Sequence, residues 1–351
     1  MAYFRDNIAR MSGYTPGFQP KQTNIVKLNT NENPYPPSPA VLEAVAATPA
    51  DALRRYPEPM GESFANTAAG VLSVKPEWIL PTNGGDDLLN ICVRAFCDAS
   101  RPVAFAEPTY SLYPVLAAIQ DCPVIAVDRA APDAMEQLAN AKAALTIVCN
   151  PNAPTCELTP IEAVAALAKR LAGKGVVLID EAYVDYAEDN ALRLVERFDN
   201  VIVLRSMSKG YSLAGMRFGF GVACPPLIEG LAKVRDSYPV DAVALRAASA
   251  AIADQAYFKS NIEKIKSERT RLTAALRAMG LSVPDSQTNF VLARCMTKPA
   301  EAVYKALSEA GIFVRYFKLP QLEDKLRITV GTPEQNDRLL ATLKAILTKD
   351  R

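Results

Sequence analysis

Between about residues 75 and 240 short apolar runs alternate with stretches of helical period. The runs are PVAFA (102–106), PVIAV (123–127), LTIVC (145–149), VVLI (176–179), VIVL (201–204) and FGFGVA (218–223). Each is short and continuously apolar, as expected for strands buried on both faces. Between two of them Thr159, Pro160 and Glu162 predict a capping box with proline at the first helical position, and Gly173 predicts the stop after IEAVAALAKRLA. This alternation predicts an α/β fold: a mostly parallel sheet sandwiched by helices.

Residues 241–280 carry a helical pattern that reads as one long helix. NFVLAR, PAEAVYKALSEAG, IFVRYF and LRITVG then alternate strand and helix, as in a smaller α/β unit. The expected organisation is a large domain over 41–240, with residues 1–40 as an N-terminal arm and 241–351 as a small C-terminal domain. No internal repeat is visible.

Composition narrows the chemistry. A net charge of +1 and 50% apolar residues over 351 positions describe a globular chain with no pull toward nucleic acid or an anionic membrane. MAYFRDNIARMSGY lacks the apolar segment of a secretory signal, and no run approaches the ~18 residues of a membrane helix. The seven cysteines are scattered and never form C-x-x-C, so reduced thiols in the cytoplasm are expected rather than disulfides or zinc. There is no histidine. Ser-His triads and most transition-metal sites are thereby excluded, and acid–base work falls to Lys, Tyr, Asp, Glu or Cys.

In an open parallel sheet, ligands bind beyond the carboxyl ends of the strands. Here those ends read EPTYSLY, NPNAPT, DEAYVDY and RSMSKGYS, offering Tyr110, amides, Asp180 and Lys209. TNGGDDLLNICVRAF adds two glycines before a helix that starts near Asp86, with Leu88, Leu89, Cys92, Val93 and Phe96 as its buried face. A helix start seats a phosphate dianion, and Ser206, Ser208 and Arg217 suit the same anion. Taken singly, Tyr110 fits a core position and Asp180 a helix cap; their convergence points instead to a phosphate, a flat ring, a carboxylate and a lysine in one pocket. Pyridoxal phosphate needs those groups. Its aldehyde forms a Schiff base with a lysine, and a buried carboxylate keeps its ring nitrogen protonated.

SMSKGYSLAGMRFGF resembles the Ser-Lys signature of the fold type I pyridoxal phosphate aminotransferases. With NENPYPPSP, RYPEP, NGGDD, EPTYSLY, NPNAPT, DEAYVDY and LRITVGTPEQN, in order from about residue 14 to 340, the chain is similar to the histidinol-phosphate aminotransferases. The resemblance implies pyridoxal 5'-phosphate as cofactor and amino transfer between histidinol phosphate and 2-oxoglutarate, with no metal. It implies Lys209 as the Schiff-base lysine, Asp180 at the ring nitrogen, Tyr183 at the ring hydroxyl and Tyr110 stacked on the ring. Gly85, Asp86, Ser206, Ser208 and Arg217 would hold the phosphate. Tyr56 would reach that phosphate from the other subunit of a homodimer. Arg327 would take a carboxylate, while Tyr14, Tyr238 and Arg315 are candidates for the distal phosphate of the substrate. Gly215 is expected to allow the turn that returns Arg217 to the cup.

The sequence departs from this family once. Asn-Asn-Pro-Thr-Gly is replaced so that Ala153 stands where an asparagine bonds the ring hydroxyl, and Cys156 stands for the glycine. The side chain of Asn152 would leave the backbone in a different direction, so this contact is expected to be lost or replaced, leaving Tyr183 as the ring-hydroxyl donor. Competing assignments are a serine acyl-transfer site on Ser206-Met-Ser-Lys209 (S-x-x-K, without its partner motifs) and a non-catalytic phosphate-binding domain. Within the same cofactor class stand an aromatic or broad-specificity aminotransferase and an amino-acid phosphate decarboxylase.

Overall fold

The structure, a computed structural model, describes residues 3–20 and 24–348. The N-terminal arm carries one short strand, β1 (Val26–Lys27), before the helix Pro39–Ala46, whose start Ser38 caps by accepting from the Ala40 N–H.

Seven strands follow and form one sheet: β2 (Ile79–Thr82), β3 (Val103–Glu107), β4 (Val124–Asp128), β5 (Leu145–Cys149), β6 (Val176–Asp180), β7 (Val201–Ser206) and β8 (Gly219–Ala223). Their order is β2-β8-β7-β6-β5-β3-β4. Every neighbouring pair from β7 to β4 is parallel, and β8 runs antiparallel between β7 and β2. All six expected strands are present. β2 escapes the apolar-run pattern because it is four residues long and contains Pro81, which a sheet tolerates at the edge that β2 occupies.

Alternate residues of each strand feed different cores. Val177, Ile179, Val201 and Val203 pack on one face, while Leu178, Ile202 and Leu204 pack on the other. Burying such a side chain contributes about 1.5–3 kcal/mol, so helices cover both faces. The helix Gly85–Phe96 inserts Leu88, Leu89, Cys92 and Val93 as expected; Ile91 is buried with them, and Phe96 is only half-buried.

Three local expectations are corrected. The helix after β5 runs over Ile161–Leu171 with Pro160 as its cap residue, and no side chain caps it. Instead of closing a box, the Thr159 N–H donates to Asn150 Oδ1 (2.7 Å) and the Thr159 carbonyl accepts from Asn150 Nδ2 (3.0 Å). The expected helix over 241–280 is two helices, Ala242–Ala253 and Gln255–Ala278, separated by Asp254, whose φ of −86° and ψ of 68° break the ladder and whose carboxylate caps Tyr257 N–H. IFVRYF divides into β10 (Ile312–Phe313) and β11 (Arg315–Tyr316), which follow β9 (Phe290–Arg294) and precede β12 (Lys325–Thr329).

β11, β12 and β9 form an antiparallel sheet, and β10 pairs in parallel with β1 of the arm. The helix Ala242–Ala253, expected to open the smaller unit, places Ala244, Leu245, Ala248 and Ile252 in the core of the large sheet. A third core takes Ile262 and Ile265 of the next helix together with Val26 and Leu28 of the arm.

The register sets the edge that matters. Thr82 pairs with Gly219, Gly219 with Ser206, Leu204 with Asp180, and Asp180 with Cys149, a row across the strand ends. A Cβ on Gly219 would lie 2.7 Å from both the Gly84 carbonyl carbon and the Gly85 nitrogen. Only a bare Cα lets β8 press against the turn that starts the helix Gly85–Phe96. Gly219→Ala should cost about 1–3 kcal/mol of stability, measured by urea unfolding, because backbone rather than a side-chain end must move.

Candidate active site

The strand ends, the arm and the smaller sheet enclose one cavity. Lys209, Asp180, Tyr183, Gly85, Asp86, Tyr110, Ser206, Ser208, Arg217, Arg327, Arg315 and Tyr14 all line it. Tyr56 and Tyr238 do not. They stack on each other on the surface, ring centroids 4.5 Å apart, with Tyr56 81% exposed.

The anion cup is made by the turn at Gly84 (φ +84°) and the helix behind it. No side chain caps this helix, so first-turn N–H groups that have no partner within the helix remain free to meet an anion. Ser208 N–H donates to Ser206 Oγ (3.3 Å), and Arg217 Nη1 donates to Ser208 Oγ (3.5 Å). Arg217 Nη2 lies 3.5 Å from Asp86 Oδ2, an ion pair half open to solvent and therefore weak. Gly215 does not make the turn as expected: nothing lies within 4 Å of a Cβ there, and Arg217 itself adopts the left-handed conformation with φ +51°. A non-glycine residue held there typically costs of order 1–3 kcal/mol, which marks this arginine's placement as enforced by its surroundings.

Deeper in, Asp180 is 4% exposed. Its Oδ2 accepts from the Tyr113 hydroxyl (2.6 Å) and its Oδ1 from Ala182 N–H (3.1 Å). Burial raises its pKa and these two donors oppose the rise. Tyr113 was not among the expected site residues. Its position three beyond Tyr110 in EPTYSLY reads equally as helix core, and it is fully buried in the helix Leu112–Gln120. Tyr110 stands across the cavity with its hydroxyl on Asp86 Oδ1 (3.1 Å) and its ring edge-on to Tyr113 (5.7 Å) and Tyr14 (5.9 Å).

Tyr183 accepts from Asn31 Nδ2 (2.9 Å), and burial pushes its hydroxyl pKa up to about 12. Ala153 reaches the cavity, but Asn152 is no substitute for an asparagine there. Its Nδ2 donates to the Pro108 carbonyl (3.0 Å) and Thr155 Oγ1 (2.9 Å), and its Oδ1 accepts from Thr109 (2.8 Å). The amide is fully used in tying two loops together.

Lys209 lies between these groups and the arm. Its Nζ is 3.3 Å from the Thr30 carbonyl and 5.7 Å from the centroid of the Tyr183 ring. Burial brings its pKa down to about 8, and Arg327 and Arg217 push the same way against Glu32 and Asp86. Glu32, from NENPYP, is a cavity carboxylate that the motif comparison did not assign. It pairs with Lys27 and accepts from Thr30 Oγ1 (2.6 Å), which holds it ionised despite burial.

Arg315 and Arg327 face each other across β11 and β12. Like charges directly opposite on neighbouring strands repel, so the pair favours an anion between them. Arg327 donates from Nη2 to the Asn29 carbonyl (2.9 Å) and packs over Phe290 (5.2 Å) and Phe317 (5.4 Å), but its buried Nε has no partner. Arg315 packs over the same Phe317 ring at 5.2 Å.

Such an arrangement can seat a dianion at the helix start, clamp a flat ring between Tyr110 and the strand ends, and present a neutralisable amine beside a second, cationic subsite. Among the described residues no group of His, Cys, Asp and Glu side chains could hold a metal ion.

The model of the family described as aminotransferase class I and II matches residues 23–343. A histidinol-phosphate aminotransferase 1 of Nostoc sp. is 47% identical over 348 residues, covering 98% of each chain. A histidinol-phosphate aminotransferase of a Geobacter species is 43% identical over 99% of both chains. The crystal structure of the Sinorhizobium meliloti histidinol-phosphate aminotransferase in complex with pyridoxal-5'-phosphate superposes with a TM-score of 0.90 at 28% identity, over 99% of this chain and 98% of that one.

Tyr113→Phe removes a hydrogen bond to a buried carboxylate, so Asp180 should protonate more readily and the protein should lose about 1–3 kcal/mol in urea unfolding at neutral pH, with less loss at pH 4. The sign follows from the bond: it favours the ionised form, so its contribution is present at neutral pH and fades as pH falls. Separately, labelling of Lys209 by an amine-reactive reagent in cofactor-free protein, read by peptide mass spectrometry, should rise with a midpoint near pH 8. A midpoint at the ordinary lysine value would contradict the burial and cationic neighbours described here.

Proposed function

We propose that this chain, which belongs to the aminotransferase class I and II family, uses pyridoxal 5'-phosphate to transfer an amino group between histidinol phosphate and 2-oxoglutarate, as in histidine biosynthesis. The observation that carries the reading is the pairing of Arg315 with Arg327 in the same cavity as Lys209 and the anion cup. One anion site serves the cofactor, and a second is left for anionic substrates.

The cavity fits that cofactor. A helix start with no side-chain cap suits its phosphate, a buried carboxylate suits its ring nitrogen, and a lysine with lowered pKa suits its aldehyde. When bound, pyridoxal phosphate supplies the aldehyde that captures amines and the protonated ring that draws electrons from the substrate carbon. Gly85 and Asp86, through first-turn N–H groups, and Ser206, Ser208 and Arg217, through their side chains, would hold the phosphate and so anchor the ring independently of Lys209. Asp180, aligned by Tyr113, would hold the proton on the ring nitrogen, Tyr110 would cover one ring face, and Tyr183 would serve the ring oxygen without help from Ala153.

Lys209 Nζ would hold the cofactor and, once released from it, would serve as the base that takes and returns a proton at the substrate carbon. A positioned base of this kind contributes about 10²–10⁴ in rate, most effectively with a pKa near the working pH. Arg327 takes glutamate's carboxylate in a bidentate fork, which a guanidinium provides and an ammonium does not. Arg315 and Tyr14 take the distal phosphate of histidinol phosphate.

Tyr56 lies outside the cavity of its own chain and is exposed, which supports its serving the phosphate of a second copy in a homodimer. We place the domain junction at Asp254, where the helices separate the two cores. Among the described residues no helix is long and apolar enough to cross a membrane, and all seven cysteines are free, which supports a cytoplasmic location.

Mixing the cofactor-loaded protein with histidinol phosphate, glutamate or phenylalanine, one at a time, tests the substrate. The first two should change its visible absorbance at least ~10-fold faster than phenylalanine, because only they fill the paired arginines. A faster response to phenylalanine would favour an aromatic aminotransferase, and release of carbon dioxide from a phosphorylated amino acid would favour a decarboxylase.

A further inference from the structure

Asn31 is 1% exposed, sits in the left-handed region with φ +58°, and uses all four of its polar groups on three residues far away in the chain. Its backbone N–H donates to Thr329 Oγ1 (3.1 Å), its carbonyl accepts from Asn289 Nδ2 (3.0 Å), its Oδ1 accepts from Thr329 Oγ1 (3.0 Å), and its Nδ2 donates to the Tyr183 hydroxyl (2.9 Å). The arm is thereby tied at one residue to Tyr183 on the large sheet and to β12, two positions from Arg327.

The direction of these bonds is set by satisfiability. Thr329 Oγ1 already accepts from the Asn31 N–H, so its own hydrogen is available to Asn31 Oδ1. Turning the amide over would leave that hydrogen, in a residue 3% exposed, without an acceptor among the described residues. Stranding a buried donor is costly. With Nδ2 toward Tyr183, the hydroxyl oxygen is an acceptor and its hydrogen must point elsewhere. Among the described residues Tyr183 donates to no acceptor, and it lines the cavity.

We propose that Asn31 is a positioning residue that turns the Tyr183 hydroxyl proton into the cavity, toward the ring oxygen of the bound cofactor. The inference rests on the aminotransferase reading above and deepens it. It matters more in this chain because Ala153 has no polar side-chain atom and the Asn152 amide is consumed elsewhere, so Tyr183 is the donor whose aim decides how that oxygen is held. Donation stabilises the ionised ring oxygen; a tyrosine free to turn its proton away does so less.

The test is a double-mutant cycle on the cofactor-loaded protein, read as the pH midpoint of its visible absorbance, with thermal melting as the fold control. Asn31→Asp keeps the shape but can only accept, so it draws the Tyr183 proton to itself. The midpoint should rise by about one pH unit, the size expected for loss of one hydrogen bond to a charged oxygen. In a Tyr183→Phe background the same substitution should move the midpoint by less than about a third as much, because the effect passes through the hydroxyl. Equal shifts in both backgrounds would mean that the new carboxylate acts through space, and no shift in either would mean that Tyr183 already donates to Asn31; either result overturns the proposal. If Asn31→Asp does not fold, Asn31→Leu runs the same cycle without a charge, with a smaller rise expected and the same two overturning results. A wild-type protein that gains no visible band with cofactor would overturn the aminotransferase reading instead.

Discussion

Burial of the central strands of the sheet on both faces, with only the edge strand β4 largely exposed, is the constraint from which the site follows. With Val177, Ile179 and Val203 in one core and Leu178, Ile202 and Leu204 in the other, the interior of the sheet is almost wholly apolar, with Thr146 of β5 the buried exception. Polar groups are admitted where the strands end. The parallel register lines up Cys149, Asp180, Leu204 and Ser206 at that edge, and β8, entering antiparallel, brings Gly219 beside Ser206. The glycine lets the backbone of the anion turn sit against the sheet, so a packing requirement and a binding requirement meet at one residue.

Inside the cavity the electrostatics are arranged so that no group is comfortable alone. Asp180 is a carboxylate out of water, Lys209 an amine whose pKa falls to about 8, and Arg327 a guanidinium with an unpartnered Nε. Each is partly supported by protein: Tyr113 for Asp180, Glu32 for Lys209, the Asn29 carbonyl for Arg327. What remains unbalanced is a surplus of cations at Arg315 with Arg327, while Arg217 is only weakly offset by Asp86. Doubly anionic partners complete both.

The arm is a structural part of the site rather than a cover for it. Thr30 touches Lys209, Asn29 holds Arg327, Asn33 Nδ2 donates to the Lys209 and Gly210 carbonyls, and Asn31 joins Tyr183 to β12. Asn-rich sequence before the first long helix is thus explained by hydrogen bonding: short amides can satisfy backbone groups of three segments at once, where water is excluded.

Local pattern determined six of the seven strands of the sheet, all but β2, and much of the cavity wall, because continuous apolar runs report burial and the polar residues after them report the strand-end edge. Lys209, Asp180 and Tyr110 were visible in that way and Arg217 beside the anion cup, whereas Tyr183 and Arg327 came only from the family resemblance. What local pattern missed is which of several available partners each polar group takes. The Thr159 capping box lost to Asn150, the long helix broke where Asp254 found Tyr257, and the turn assigned to Gly215 was made by Arg217 under pressure from its neighbours. Tyr113 looked like core until its hydroxyl met Asp180 67 positions away, and Asn31 met Thr329 298 positions away. Sequence patterns carry burial and period, which are properties of neighbours along the chain. Which lone pair a hydroxyl faces is decided by segments that meet only after folding, and so it belongs to the tertiary structure.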